Sequence, residues 1–381
     1  MISGTERQGW LVVLGLSLTV PSSVAQNGVV VGGPGRANIA GGAFGEVYST
    51  ERFGIFGIPS TNVKFKLDRV VSGPNTPVSL GSFLIVSPSS GVTPSTVRVA
   101  PNPNVTRKMR PGQYAAVVYF TTVDQTPPVT TGAIVILTLR APPPPSIGSV
   151  VNTASLHPMV SPATVVSILG DSLGPPVHSA EYDIEGLYPT TFGFTTVTFN
   201  GTRAPLLHVT SGRIDAIAPY PVAGQKTAQV VVSRYGVSTA PFEVPVTDTA
   251  PAIFTVASNG TGQGDILNYA FPNYSRNNAD NPAVPGQMIV FYATGAGVLD
   301  DAVSEASISL IASPIRSQPV SLTIGGLPAR IYYAGAAPFE SIAKLQINAF
   351  VPEGVGSGPQ PVVLTIGQAD NAQQQVTVAI R

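Results

Sequence analysis

Hydrolytic and metal chemistry needs nucleophiles, bases and ligands held close together, and this chain offers few of them. Its three histidines are His157, His178 and His208, spaced 21 and 30 residues apart with no HxH or HExxH pattern. Metal sites draw ligands from fixed local spacing, so no metal is expected. The absence of cysteine removes thiolate catalysis, cysteine zinc sites and disulfides together. No Gly-x-Ser-x-Gly turn opens a helix, so an activated serine is not expected either. The stretch Gly260-Thr261-Gly262-Gln263-Gly264 lacks the lysine and the strand–helix frame of a phosphate loop. Glu181, Asp183 and Glu185 alternate, and Asp300, Asp301 and Glu305 form a second group. On an extended segment the first three would share a face and could hold Ca²⁺, but no EF-hand-like pattern surrounds them. A solvated loop is the expected setting for both groups.

Aromatic residues give the positive signal. Tyr182, Tyr188, Phe192 and Phe194 cluster in a loop-like insertion, and Tyr269, Phe271 and Tyr274 lie in a polar stretch ending NNADN. Exposed tyrosine among amides can stack on sugar rings or make a protein contact. Tyr182, Tyr188, Tyr269, Phe271 and Tyr274 are therefore the candidate ligand contacts. The alternative is that the rings cap the ends of the modules.

The elements that would position these rings are strands. Charged residues are 10% of the chain against a usual share of about 25%, and hydrophobic residues are 43%. That is the reverse of a disordered composition. Formal net charge is zero, so no field would hold nucleic acid or an anionic membrane. The 39 glycines and 37 prolines are scattered without period, which fits many short strands joined by tight turns. A length of 381 residues suits several sandwiches of roughly 100 residues each. The expected fold is all-β, a tandem of immunoglobulin-like β-sandwich modules.

Residues 1–25 carry a short polar start, the apolar run WLVVLGLSLTV and a small-residue ending PSSVA. Eleven apolar residues are too few for a bilayer span of about 20, so the segment reads as a signal peptide cleaved after Ala25. No later segment is long and apolar enough to anchor the chain. The expected location is extracellular or at the cell surface. Residues 26–62 are Gly-rich, an arm or a set of first strands. Period-two strand signals begin at Val63 and continue to about 140. A polyproline spacer, APPPPS, then covers the boundary at 141–148.

Beyond the spacer the sequence repeats. SPATVVSI at 161–168 is echoed by VPGQMIVF at 284–291, VTFNGTRAP at 197–205 by LTIGGLPAR at 322–330, and IDAIAP at 214–219 by INAFVP at 347–352. The shift is 123 at Pro162/Pro285, 125 at Ala204/Ala329 and 133 at Pro219/Pro352. Duplication with one inserted loop produces such a jump, and the insert falls at Gly335 to Lys344. The expected modules are 149–248 and 249–381. Within each, Phe199-Asn200-Gly201 and Ile324-Gly325-Gly326 predict a two-residue hairpin, since Asn-Gly and Gly-Gly tolerate positive φ.

These ordered motifs, from SVVNTASLHPMVSPATVVSILGDSLGP to the closing LQINAFVPEGVGSGPQPVVLTIG, resemble the uncharacterised C-terminal domain family of Solibacter-type acidobacteria. The resemblance covers about 149–381, and its repeated unit is similar to IPT/TIG-type modules. Residues 63–140, with LIVSPSSGVTPSTVRVAPNP and RPGQYAAVVYFTT, resemble a BACON-type immunoglobulin-like domain. The resemblance implies a secreted or surface-exposed bacterial protein and brings no catalytic residues or cofactor. The expected function is structural, adhesive or protein-interacting rather than enzymatic. The alternative is a carbohydrate-binding accessory protein whose partner is extracellular polysaccharide.

Overall fold

The structure, a computed structural model, describes residues 28–32, 36–42, 51–58, 62–73, 82–106, 108–175, 183, 185–299, 304–315 and 317–381. The expected signal peptide, 1–25, lies outside them. The chain is all-β and divides into two compact units, 1–140 and 141–381. The division falls at the start of the polyproline spacer.

The first unit is a two-sheet sandwich. One sheet runs Gly28–Gly32, Glu51–Ile58, Ser95–Pro101, Leu84–Ser87; the other runs Arg36–Gly42, Thr130–Arg140, Gly112–Thr122, Lys64–Ser72, Ser90–Val92. Three strands from the Gly-rich stretch thus join the two sheets, one of them pairing in parallel with Thr130–Arg140. Alternation puts Tyr114, Ala116, Val118 and Phe120 inward from one strand and Val97 and Val99 from another. Phe65 and Phe120 meet edge-to-face at 5.8 Å in this core. At the corner before its strand, the Tyr114 hydroxyl donates to the Arg110 carbonyl at 2.8 Å.

The second unit holds two sandwiches whose strands pair in the same order. In the first, one sheet runs Ser146–Asn152, Val165–Asp171, Arg213–Ile217, Leu206–Val209. In the second sandwich the matching order is Ile266–Ala270, Met288–Thr294, Leu345–Phe350, Arg330–Ala336, extended at one edge by Asn273–Arg276 and at the other by Ser313–Pro314. Facing these, Thr202–Arg203, Thr195–Phe199 and Thr227–Arg234 pair in one sandwich as Leu327–Pro328, Val320–Ile324 and Gly358–Ile366 do in the other. Detail repeats as well: Ala204 N donates to Val197 O and Ala329 N to Leu322 O, each at 2.9 Å. A register shift falls between Leu206 and His208 and again between Ile331 and Tyr333. Both hairpins take positive φ at their two central residues, Asn200 and Gly201 in one, Gly325 and Gly326 in the other. That is the type I′ geometry, whose twist matches the strands it joins. Phe199 and Ile324, the residues entering these turns, are fully buried.

The loop expected at Gly335 to Lys344 begins two residues later. Gly335 and Ala336 still pair with Pro314 and Ser313, so the strand continues to Ala336. The loop then packs between the sandwiches. Ala343 joins Ala163, Val165 and Ile217 in one buried cluster, with Leu207 and Tyr220 against it. Buried Thr294 accepts from Val165 N at 3.0 Å and donates to Ala343 O at 2.8 Å. Asn152 donates to Ala250 O, and Gln374 donates both to Ala154 O and to Ile253 O.

Candidate functional site

The expected chemistry-bearing groups are dispersed or occupied. His178, Glu181, Asp300 and Asp301 lie outside the described residues. The Asp183 carboxylate accepts from its own loop, from Glu185 N and Leu187 N at 2.9 Å each, which fixes a turn. His208 sits on a strand opposite Asp215. Among the described residues, no group of three or more His, Asp or Glu side chains could hold a metal ion. Gly260 packs on the Ser155 carbonyl, and Gly262–Gln263 pairs with the Val376–Ile380 strand. A strand, Ile266–Ala270, follows instead of a helix, so this stretch is no phosphate cradle.

The candidate aromatics separate into two settings. Tyr182 lies outside the described residues. Tyr188 is half-buried where the two sandwiches meet: its N–H donates to Ala306 O at 2.8 Å, and Ile308 N donates back to Gly186 O. Phe192 packs against the first sandwich's core, and Phe194 stacks on Tyr235 at 4.8 Å. Phe192 and Phe194 therefore serve packing, and Tyr188 is partly covered. Tyr269, Phe271 and Tyr274 instead share one projecting hairpin, Ile266–Ala270 with Asn273–Arg276. Phe271 is 85% exposed and Tyr274 57% exposed, and the Tyr269 and Tyr274 rings lie 4.9 Å apart as a cross-strand pair.

The hairpin tyrosines belong to a longer row that composition alone does not reveal. Tyr274 pairs with Tyr269, Tyr269 with Met288, Met288 with Phe350, and Phe350 with Arg330. Residues directly opposite one another point to the same face, so all five stand in line across five strands. The face is the outer one, because their neighbours Ile289, Ile347 and Ala349 are buried in the core. The Arg330 guanidinium lies 3.9 Å over the Phe350 ring, and Tyr332, 70% exposed, meets that ring edge-on at 6.5 Å. A shallow hollow at this end is lined by Gly286, Leu327, Pro328, Arg330, Phe350 and Glu353. Arg276, one step along the sheet, is paired with Asp265 at 3.3 Å. Sequence reasoning missed Met288, Tyr332 and Phe350. The echo of IDAIAP in INAFVP could have flagged Phe350, since it aligns Phe350 with Ile217.

The fold defines a class, tandem immunoglobulin-like sandwiches, and the candidate site is an outer-sheet aromatic face. No protein-family model matches the chain, and no curated protein matches it. Solved structures that align with it include the E. coli chaperone DraB, 10% identical over 58% of this chain and 98% of that one, with a TM-score of 0.20. Domains 5–6 of the S-layer protein SbsC align at 13% identity over 58% of this chain and 100% of that one, TM-score 0.18. The first four extracellular cadherin domains of protocadherin gamma B7 align at 13% identity over 90% and 73%, TM-score 0.21. Scores of this size carry no argument about function. Among the described residues, no helix is long and apolar enough to cross a membrane.

Proposed function

We propose that the chain is a non-catalytic interaction protein, exported and acting outside the cell, whose second unit is a fixed pair of sandwiches that presents an aromatic face. The observation carrying this reading is the junction. Thr294, Gln374 and Asn152 bind backbone groups across it, and Ala343 seals a buried apolar cluster. Separation would exchange each of these bonds for water, at a modest net cost for each, and would expose the apolar cluster around Ala343. A fixed pair suits a protein that must hold a face in place, as structural and adhesive proteins do. The repeated strand order supports a duplicated module, and the resemblance to surface-exposed bacterial domains supports export.

The test uses beads carrying the full chain, incubated with envelope fractions of the producing organism. The parent should bind, and Ala343→Asp, which puts a charge into the sealed junction, should bind less while its far-UV spectrum is kept. Parent beads that bind no envelope component would remove the reading.

A further inference from the structure

The two sandwiches treat the same outer-sheet positions differently. In the first, Val165 and Ile217 are register partners buried in the cluster closed by Ala343, and Leu207, at the register shift, packs against that cluster. In the second, Met288 and Phe350 are the register partners and Tyr332 stands at the register shift. Tyr332 is 70% exposed, and Met288 and Phe350 are only partly covered. The pair that one sandwich buries, Val165 and Ile217, is thus only partly covered in the other, where Met288 and Phe350 are larger and Tyr332 beside them is exposed. The 337–344 loop cannot cover them, because its Ala343 carbonyl is already bound to Thr294 at the junction. The first sandwich has only a short Thr210–Gly212 turn at that place.

The order of residues along the row then points to an occupant. From edge to edge it reads Tyr274, Tyr269, Met288, Phe350, Arg330. A two-fold axis through Met288, lying along the strands, reverses the row. It sets Arg330 of one copy over Tyr274 of the other, Phe350 over Tyr269, and Met288 on Met288. Each Arg330 therefore meets a Tyr274 ring and each Phe350 meets a Tyr269 ring, which is the self-complementarity an isologous contact requires. Like charges do not meet, since Arg276 is neutralised by Asp265. Tyrosine, phenylalanine, methionine and arginine are also the residues enriched at protein interfaces.

We propose that this face is a homodimer interface, occupied by the same face of a second copy of the chain. The proposal deepens the interaction reading above by naming a partner. Five strands spaced about 4.8 Å apart make a face about 19 Å across, at the small end for a specific interface, so the dimer is weak and concentration-dependent.

Sedimentation velocity on the full chain over a wide concentration series tests it. The parent should move from monomer to twice the monomer mass as concentration rises. Met288→Glu, which sets two carboxylates against each other at the dyad, and Arg330→Glu should each weaken association by about tenfold or more, as juxtaposed like charges and lost cation–aromatic contacts do. Both side chains point away from the core, so the melting temperature should hold. Phe339→Ser, at an exposed residue outside the row whose N–H donates to the Ser309 carbonyl beside exposed Leu310 and Ile311, should leave the dimer unchanged. A parent that stays monomeric throughout would overturn the proposal, and so would variants that associate like the parent or an effect confined to Phe339→Ser. Retention of a monomeric parent on a neutral polysaccharide, lost in Tyr269→Ala, would assign the face to a glycan instead and equally overturn it. A monomeric parent whose beads still bind envelope material would leave the interaction reading standing.

Discussion

Tyr220 lies against the junction cluster, and burial pushes its phenol up to about 12, with the Glu305 carboxylate adding to the rise and the Leu299 backbone opposing it. An unfolded tyrosine ionises near 10. The folded chain therefore keeps a proton that the unfolded chain releases between about pH 10 and pH 12. This share of the stability is complete below pH 10 and is lost as pH rises toward 12. Tyr220→Phe should make the alkaline limb of melting temperature against pH shallower; an unchanged limb would mean that the phenol is free to ionise in the folded state. Tyr114 and Tyr333, both raised by burial, account for slope that remains. At this scale the site was half legible. Tyr269, Phe271 and Tyr274 stood out because aromatics amid amides have no core to fill. Phe350 did not stand out, because in LQINAF it follows the inward Leu345, Ile347 and Ala349 and reads as one more apolar strand residue. Only the pairing with Met288 and Arg330 shows that it faces outward. Tyr188 shows another limit: a tyrosine in a loop-like stretch can be partly covered by another module that is remote in sequence.

Hairpins and close approaches show how much glycine matters at the element scale, and why. Gly201 has φ of +84° with nothing within 4 Å of an added Cβ. Gly201→Val should therefore cost only conformational strain, about 1–2 kcal/mol, read from the denaturation midpoint. Gly295 has a similar φ of +90°, but an added Cβ would lie 1.9 Å from the Ala250 carbonyl oxygen, a backbone atom that cannot swing away. Gly295→Ala should cost more than Gly201→Val although its side chain is smaller. The reverse order would show that the backbone at Ala250 yields. The type I′ turns were legible because Asn-Gly and Gly-Gly state their own geometry. The Gly295 contact was not, since it depends on a chain crossing that local sequence does not encode. The strands of residues 28–58 were hard to read for a related reason. Glycine weakens period-two patterning, so pairing with the Thr130–Arg140 and Ser95–Pro101 strands decides their place.

At the scale of the whole molecule, the all-β class followed from composition and strand spacing, whereas the contact between the two sandwiches of the second unit did not. Its parts are ordinary in sequence: a threonine ending a strand, a glutamine near the chain end, an alanine in a loop. They gain meaning only when Thr294 Oγ1 stands between Val165 N and Ala343 O. The shift of 133 at Pro352 marks an insertion, but not what the inserted loop covers. Thr294→Val keeps the shape and removes the hydroxyl. Val165 N and Ala343 O would then be buried without partners, at about 1–3 kcal/mol for each unsatisfied group. The two cores, one around Phe199 and one around Phe291, are each complete without the junction. The loss should thus fall on their coupling rather than on either core. Residues 141–381 should melt in one calorimetric transition in the parent chain and in two in Thr294→Val, the calorimetric enthalpy then exceeding the van't Hoff value. A single transition in both proteins, lowered in the variant, would mean that the apolar cluster around Ala343 couples the sandwiches without help from the hydroxyl.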